Sequence, residues 1–287
     1  MKKIILLKRV FLIVILTISI GTNVYAGNII KVFVSILPQQ YFVERVGGEF
    51  VDVNVMVGPG QNPATYEPTP HQMAALADTD IYFSIGVPFE KAWLNKIKKS
   101  NPKLIVIECC ESISDLDGHS HHDEHTDPHV WTSPKKVIQL VLLIKESLIN
   151  NSNINSIAIE NSANNFISEL HKLDEVIKSK LSLLKHRSFI VSHPSWSYFA
   201  HAYDLKQIPI EKEGKEIQAK SMVNLIKIAK EKNIKAVFVQ RQFNDKAANI
   251  IAKEINATVY ELDPLAFNYI ENMNDVTNKI MKGLNYE

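Results

Sequence analysis

Two histidines and an aspartate stand beside prolines in three short segments far apart in the chain: Asp127-Pro128-His129-Val130-Trp131, Val191-Ser192-His193-Pro194 and Glu261-Leu262-Asp263-Pro264. Each segment reads as the end of a β-strand, with proline stiffening the turn that follows. Imidazole nitrogen and carboxylate oxygen together suit a divalent transition metal, with zinc the leading candidate. Residues so distant meet only if two lobes fold against each other. Taken singly, His193 also reads as a hydrogen-bonded structural residue and Asp263 as a cap or turn former. Their joint placement at strand ends carries the metal reading, because open parallel sheets bind ligands beyond the carboxyl ends of their strands.

Upstream of His129 runs His119-Ser120-His121-His122-Asp123-Glu124-His125-Thr126. So polar a stretch cannot pack as a core and reads as a solvated loop; His119, His121, His122 and His125 make it an auxiliary, low-affinity metal collector. The ordered ligand is His129, held between Pro128 and the Trp131-Thr132-Ser133-Pro134 turn, where Ser133 and Pro134 read as the N-cap and first residue of a helix. The stretch Val57 to Pro70 is dense in glycine and proline and suggests a shaped surface near the cleft. Gln240-Arg241-Gln242-Phe243 ends another strand and offers hydrogen bonds around the site, or contact with Glu213 or Glu216, in preference to direct ligation.

The elements that must position these residues are legible from apolar patterning. Strand-like runs occur at 32–37, 51–57, 81–85 and 104–107, and again at 189–192, 207–210, 236–240 and 258–262. Amphipathic helices are read at 39–46, 71–77, 134–149, 221–232 and 246–255. Continuous apolar strands alternating with helices imply parallel sheets covered on both faces, a doubly wound α/β arrangement. Between the two sets Ile159, Ala163, Phe166, Leu170, Leu173, Ile177, Leu181 and Leu184 repeat at steps of three or four, the stripe of one long helix. A dimerising coiled coil has similar spacing but needs a regular e/g charge pattern, which is lacking. The expected organisation is a signal peptide at 1–26, an N-terminal α/β lobe at 27–157, a stiff linker helix at 158–185 and a C-terminal α/β lobe at 186–287, with a metal cleft between the lobes.

The first residues read as an export signal. Lys2, Lys3, Lys8 and Arg9 precede an apolar run from Val10 to Ile20, and Val24-Tyr25-Ala26 offers a small-x-small cleavage site after Ala26. That run is well short of the ~20 residues a membrane span needs. Removing the signal leaves 28 basic against 31 acidic residues, a balance that gives no reason to expect nucleic acid or a membrane surface as partner. Cys109 and Cys110 are the only cysteines and are adjacent, so a bridge between them would be badly strained and disulfides are not expected to hold the fold. They are expected to end a buried strand; a cysteine metal site is not favoured.

In order along the chain, several segments resemble one family. They are Val34-Ser35-Ile36-Leu37-Pro38, the Gly58 to Pro70 loop with Tyr66-Glu67-Pro68, Asp80 to Gly86 followed by Phe89-Glu90 and Trp93-Leu94, Asp127 to Pro134, His193 with Tyr198-Phe199, and Leu262-Asp263-Pro264-Leu265. The mature chain resembles the metal-specific solute-binding proteins of bacterial ABC importers for zinc and manganese. The resemblance implies two α/β lobes joined by a long helix, one metal between them, and His129, His193 and Asp263 as ligands. It also implies a periplasmic location and a cognate ABC permease in the inner membrane as partner. Family members usually carry a first histidine after the proline of the early loop, where this chain has Ala64. Water, His71, Glu67, Tyr66 or a histidine of the 119–125 loop is the candidate for that position. Within the family, a histidine at the position of His193 accompanies zinc and a glutamate there accompanies manganese, so zinc is expected, with manganese the alternative.

The leading expectation is therefore a non-enzymatic zinc receptor. A zinc hydrolase is the second reading, since three protein ligands with an open position also suit catalysis. It lacks a Gly-x-Ser-x-Gly elbow and a His-Glu-x-x-His helix, and Glu67 is its one candidate base. A third is an extracytoplasmic metal buffer or adhesin. In each case neutral imidazoles bind the metal, so affinity should fall below pH ~6.5.

Overall fold

The computed structural model describes residues 29–114, 127–152, 154–211 and 217–286. The proposed signal and its cleavage site, the histidine-rich loop with His119, His121, His122 and His125, and Glu213 and Glu216 lie outside them. Among the described residues no helix is long and apolar enough to cross a membrane.

The first lobe runs β1 (Ile30–Ile36), α1 (Leu37–Gly47), β2 (Val51–Val57), α2 (Pro70–Leu76), β3 (Ile81–Ser84), α3 (Pro88–Ser100), β4 (Ile105–Glu108) and α4 (Cys109–Ser114). After a 3-10 turn at Val130–Thr132 come α5 (Pro134–Asn150) and the long α6 (Ser156–Leu181). The second lobe runs β5 (Ser188–Val191), α7 (Ser197–Ala202), β6 (Lys206–Pro209), α8 (Ala219–Glu231), β7 (Ala236–Val239), α9 (Lys246–Ile255), β8 (Thr258–Glu261) and α10 (Tyr269–Leu284). All pairings are parallel, in the orders β2-β1-β3-β4 and β6-β5-β7-β8. Two sheets thus share one topology although no repeat is visible in the sequence.

Four helices, α1, α2, α3 and α5, carry proline in their first turn, where a missing N–H costs nothing. At α2 the Thr69 side chain accepts from Gln72 N–H while Gln72 reaches back to Thr69, a reciprocal cap. Ser133 does not behave as expected: its side chain makes no capping bond and is buried, and Pro134 alone starts α5. Cys109 and Cys110 also depart from expectation, opening α4 instead of ending β4. Both are free and buried, and burial pushes the Cys110 thiol up to about 12, so neither is disposed to give a metal-binding thiolate.

Helix α6 spans 26 residues, about 39 Å at ~1.5 Å per residue. Its stripe from Ile159 to Leu181 is buried throughout, and Leu184 is buried just past its end. It packs on α1 and α5 of the first lobe and on α10 of the second. One continuous apolar core consequently runs from β1 and β3 through α6 to β5 and β7, while a smaller one fills the space between the second sheet, α8 and α9. Across the lobes Phe42 meets Tyr269 edge-on at 5.0 Å and Tyr41 meets Phe267 at 5.6 Å.

One buried carboxylate gives the first lobe a pH signature. Glu90 accepts hydrogen bonds from the Ile85 N–H (2.9 Å), the Gly86 N–H (2.8 Å) and the Ser35 hydroxyl. Burial outweighs these donors and pushes its carboxyl from 4.5 up to about 7. Between those values the folded chain holds a proton that the unfolded chain has lost. The resulting stabilisation, about 3 kcal/mol, is present in full below pH 4.5 and is lost as pH rises through 7. Thermal denaturation from pH 5 to 8 should show stability falling across this window, and the Glu90→Gln variant should flatten the slope; an unchanged slope in the variant would assign it to other groups.

Candidate metal centre

The carboxyl-end sides of the two sheets meet through the His129–His193 and Trp131–Pro264 contacts, and His129, His193 and Asp263 lie there. In the first lobe His129 sits on irregular chain leading into the 3-10 turn, not at the end of a strand as its neighbours suggested. Asp127 organises it from two residues away. One carboxylate oxygen accepts both the His129 backbone N–H (3.0 Å) and Nδ1 (2.6 Å). A carboxylate only accepts, so Nδ1 carries the proton and Nε2 is left with its lone pair outward. The other oxygen accepts from the Ser197 hydroxyl of α7, and the Tyr198 hydroxyl bonds the Asp127 carbonyl at 3.2 Å. Burial works to raise the Asp127 pKa, but the hydrogen bonds from His129 and Ser197 together hold it below the ordinary value. Gly86, packed beside Pro128 and Cys110, adopts φ +89°, a left-handed backbone conformation that favours glycine.

In the second lobe His193 follows β5. Parallel pairing of β5 with β6 continues as Glu211 N–H to Ser192 carbonyl, which brings the Glu211 side chain alongside. Glu211 Oε2 lies 3.1 Å from His193 Nδ1, the same carboxylate–imidazole arrangement as in the first lobe. Phe243 stacks on the His193 ring at 4.1 Å and 14°, and Gln240 Nε2 donates to the His193 carbonyl at 3.3 Å. The His129 and His193 rings meet edge-to-face at 5.4 Å, their side chains 15% and 18% exposed. Among the described residues neither Nε2 has a hydrogen-bond partner. Sequence reading missed the role of Glu211, because only the parallel register joins residues 18 apart; Asp127 was visible as a carboxylate two residues from its histidine.

Asp263 follows β8 on the same side. One of its oxygens accepts Gln242 Nε2 at 3.0 Å and the Leu265 N–H at 2.9 Å. The Trp131 indole N–H donates to the Pro264 carbonyl at 2.8 Å, tying the His129 turn to the Asp263 turn across the lobes. Among the described residues, however, no three His, Cys, Asp or Glu side chains are gathered closely enough to form a ready-made metal cluster. The structure brings the two histidines together; it engages Asp263 with Gln242 instead of with either ring. His71 and Glu67 are exposed, and no hydrogen bond or ring contact among the described residues joins them to the histidines or Asp263. Tyr66 is buried with its hydroxyl on Gln72 Oε1 at 2.5 Å, which withdraws it from the cleft. Arg241 pairs with Glu261 at the surface.

A family model described as zinc-uptake complex component A, periplasmic, matches residues 32–283. The chain belongs to this zinc-uptake family. The zinc-binding lipoprotein AdcA of Streptococcus pneumoniae is 28% identical over 279 residues, which is 92% of this chain and 56% of AdcA. The chain thus spans about half the length of that relative. The high-affinity zinc uptake system protein ZnuA of Bacillus subtilis is 27% identical over 254 residues, covering 83% of this chain and 79% of its own. A crystal structure of a zinc-bound ZnuA deletion mutant is 39% identical with a TM-score of 0.84, covering 91% of this chain and all of that one. As a member of the zinc-uptake family, the chain carries a histidine from each lobe at the point where the lobes meet, and alanine at position 64, which offers no donor.

Proposed function

We propose that this chain captures zinc outside the cytoplasm, with manganese as the lesser alternative, and delivers it to an ABC permease without chemical turnover. The observation that carries the reading is the pair of imidazoles from opposite lobes, each with Nδ1 beside a carboxylate. An ion ~2.0–2.1 Å from each Nε2 lies ~3.2 Å from each ring centre, so tetrahedral ligation separates the centres by ~5 Å. The observed 5.4 Å fits that separation. Asp263 is the third ligand in this reading, its free oxygen turning to the ion while Gln242 and Leu265 hold the other. His71 and Glu67 are exposed and less suited to complete the set. Relatives named for zinc binding and zinc uptake support zinc as cargo. A hydrolase would need a base within hydrogen-bond reach of a metal-bound water, and exposed Glu67 bonds to neither histidine.

The test is calorimetric titration of zinc and manganese into metal-stripped residues 27–287. One-to-one zinc binding tighter than manganese binding is expected. Weak binding at several sites would shift the metal to the histidine-rich loop and sink the cleft reading. Growth of a deletion strain under chelation, restored by the intact gene and not by a cleft variant, tests delivery to a permease.

A further inference from the structure

The sequence marks Gln242, within Gln240-Arg241-Gln242-Phe243, for hydrogen bonds around the site and not for ligation; its surroundings in the structure point further. Its Nε2 donates to Asp263, and its neighbour Phe243 lies flat on His193. Its backbone carbonyl accepts from Asn62 Nδ2 at 3.4 Å, and Asn62 Oδ1 in turn accepts the Ala64 N–H at 2.8 Å. The loop with the missing donor is therefore docked directly on the Gln242 turn. Gln242 Oε1 is buried and has no hydrogen-bond partner among the described residues. The orientation of the amide is not arbitrary: the Asp263 carboxylate can only accept, so the amino end must face it and the oxygen must point the other way. A buried amide oxygen without a donor is a group awaiting a proton or a cation.

Resting on the cleft reading above, we propose that Gln242 Oε1 is the oxygen donor that completes the ligand set with His129, His193 and Asp263, in place of a side chain at position 64. The same residue does two things: its nitrogen fixes Asp263 and its oxygen meets the ion. Such a set has two nitrogen and two oxygen donors, harder than a three-histidine set, and so narrows the preference for zinc over manganese.

The experiment compares zinc and manganese titrations of the full mature chain with those of Gln242→Leu, Gln242→Glu, Asp263→Ala, the Asp263→Ala/Gln242→Leu double variant and His193→Ala. Cobalt(II) absorption serves as a ligand-sensitive readout. Gln242→Leu should weaken zinc at least tenfold and alter the cobalt d–d bands. Gln242→Glu, which keeps an oxygen, should retain zinc and gain most for manganese. In the Asp263→Ala background, removing Gln242 should cost a further severalfold loss. If that further loss is absent, Gln242 acts only by positioning Asp263 and the proposal is overturned. Wild-type affinity and spectrum in Gln242→Leu would overturn it equally. Should His193→Ala also bind as wild type, the cleft itself is refuted; a His193→Ala defect beside an intact Gln242→Leu refutes only the amide ligand.

Discussion

Replacing His129 and His193 together by alanine is expected to weaken zinc binding by well over ~100-fold, beyond what losing a supporting carboxylate costs. Among the described residues, the two rings come together from opposite lobes at a spacing suited to one ion. Their side chains are only 15% and 18% exposed and each is paired with a carboxylate, so the metal-free double variant should itself be destabilised, and the loss of binding is read from the zinc-dependent difference alone. One assay gives that difference. Zinc at a hundred times its Kd adds ~2.7 kcal/mol to stability, so wild-type protein should melt several degrees higher with zinc, and the double variant should melt at one temperature with or without it. Asp127→Ala should fall between, with a ~10–100-fold loss, because the imidazole stays while its aim and basicity suffer. A full zinc-dependent rise in the double variant would place the metal elsewhere.

Trp131→Ala should be the most destabilising single substitution near the site. The indole is 2% exposed, lies 5.1 Å from the His129 ring and donates to the Pro264 carbonyl. Truncation removes a large buried ring and leaves a cavity, at a cost of about 3–5 kcal/mol, or a Tm lowered by roughly 10 °C for a chain of this size. Zinc affinity should fall as well, because the bond joining the His129 turn to the Asp263 turn is gone. Trp131→Phe separates the effects: it keeps most of the packing and loses the hydrogen bond, worth about 1 kcal/mol. If the phenylalanine variant binds zinc as wild type does, the inter-lobe bond contributes to stability alone.

Much of the fold was legible because parallel strands buried on both faces leave continuous apolar runs. All eight expected strands fall within two residues of those observed. The α6 stripe was equally clear, since every third or fourth residue is apolar and buried. Besides the short α4 and α7, two long helices were not read, α3 and α10. The first buries only Phe89, Glu90 and Ile97 among lysines and polar residues, too few for a periodic signal. The second hides its stripe by using Thr277 and Gly283 on the buried face. At Gly283 an added Cβ would come within 2.8 Å of Ala236 Cβ, so the residue is there for close packing against β7. The metal-site candidates were visible as types and spacings. What a sequence could not carry was mutual orientation: that Asp263 faces Gln242, that Glu211 backs His193, and that Asn62 links Ala64 to the opposite lobe.

The carboxylate behind His129 is itself held from across the cleft. Ser197 and Tyr198, both on α7 of the second lobe, bond Asp127. Grip in one half of the molecule thus depends on where the other half stands. With His129 as the proposed ligand, any partner that pries the halves apart would strip Asp127 of those bonds and let the imidazole swing, weakening its hold without touching the ion. Unloading could then be done by leverage, with no rival chelator and no change of acidity.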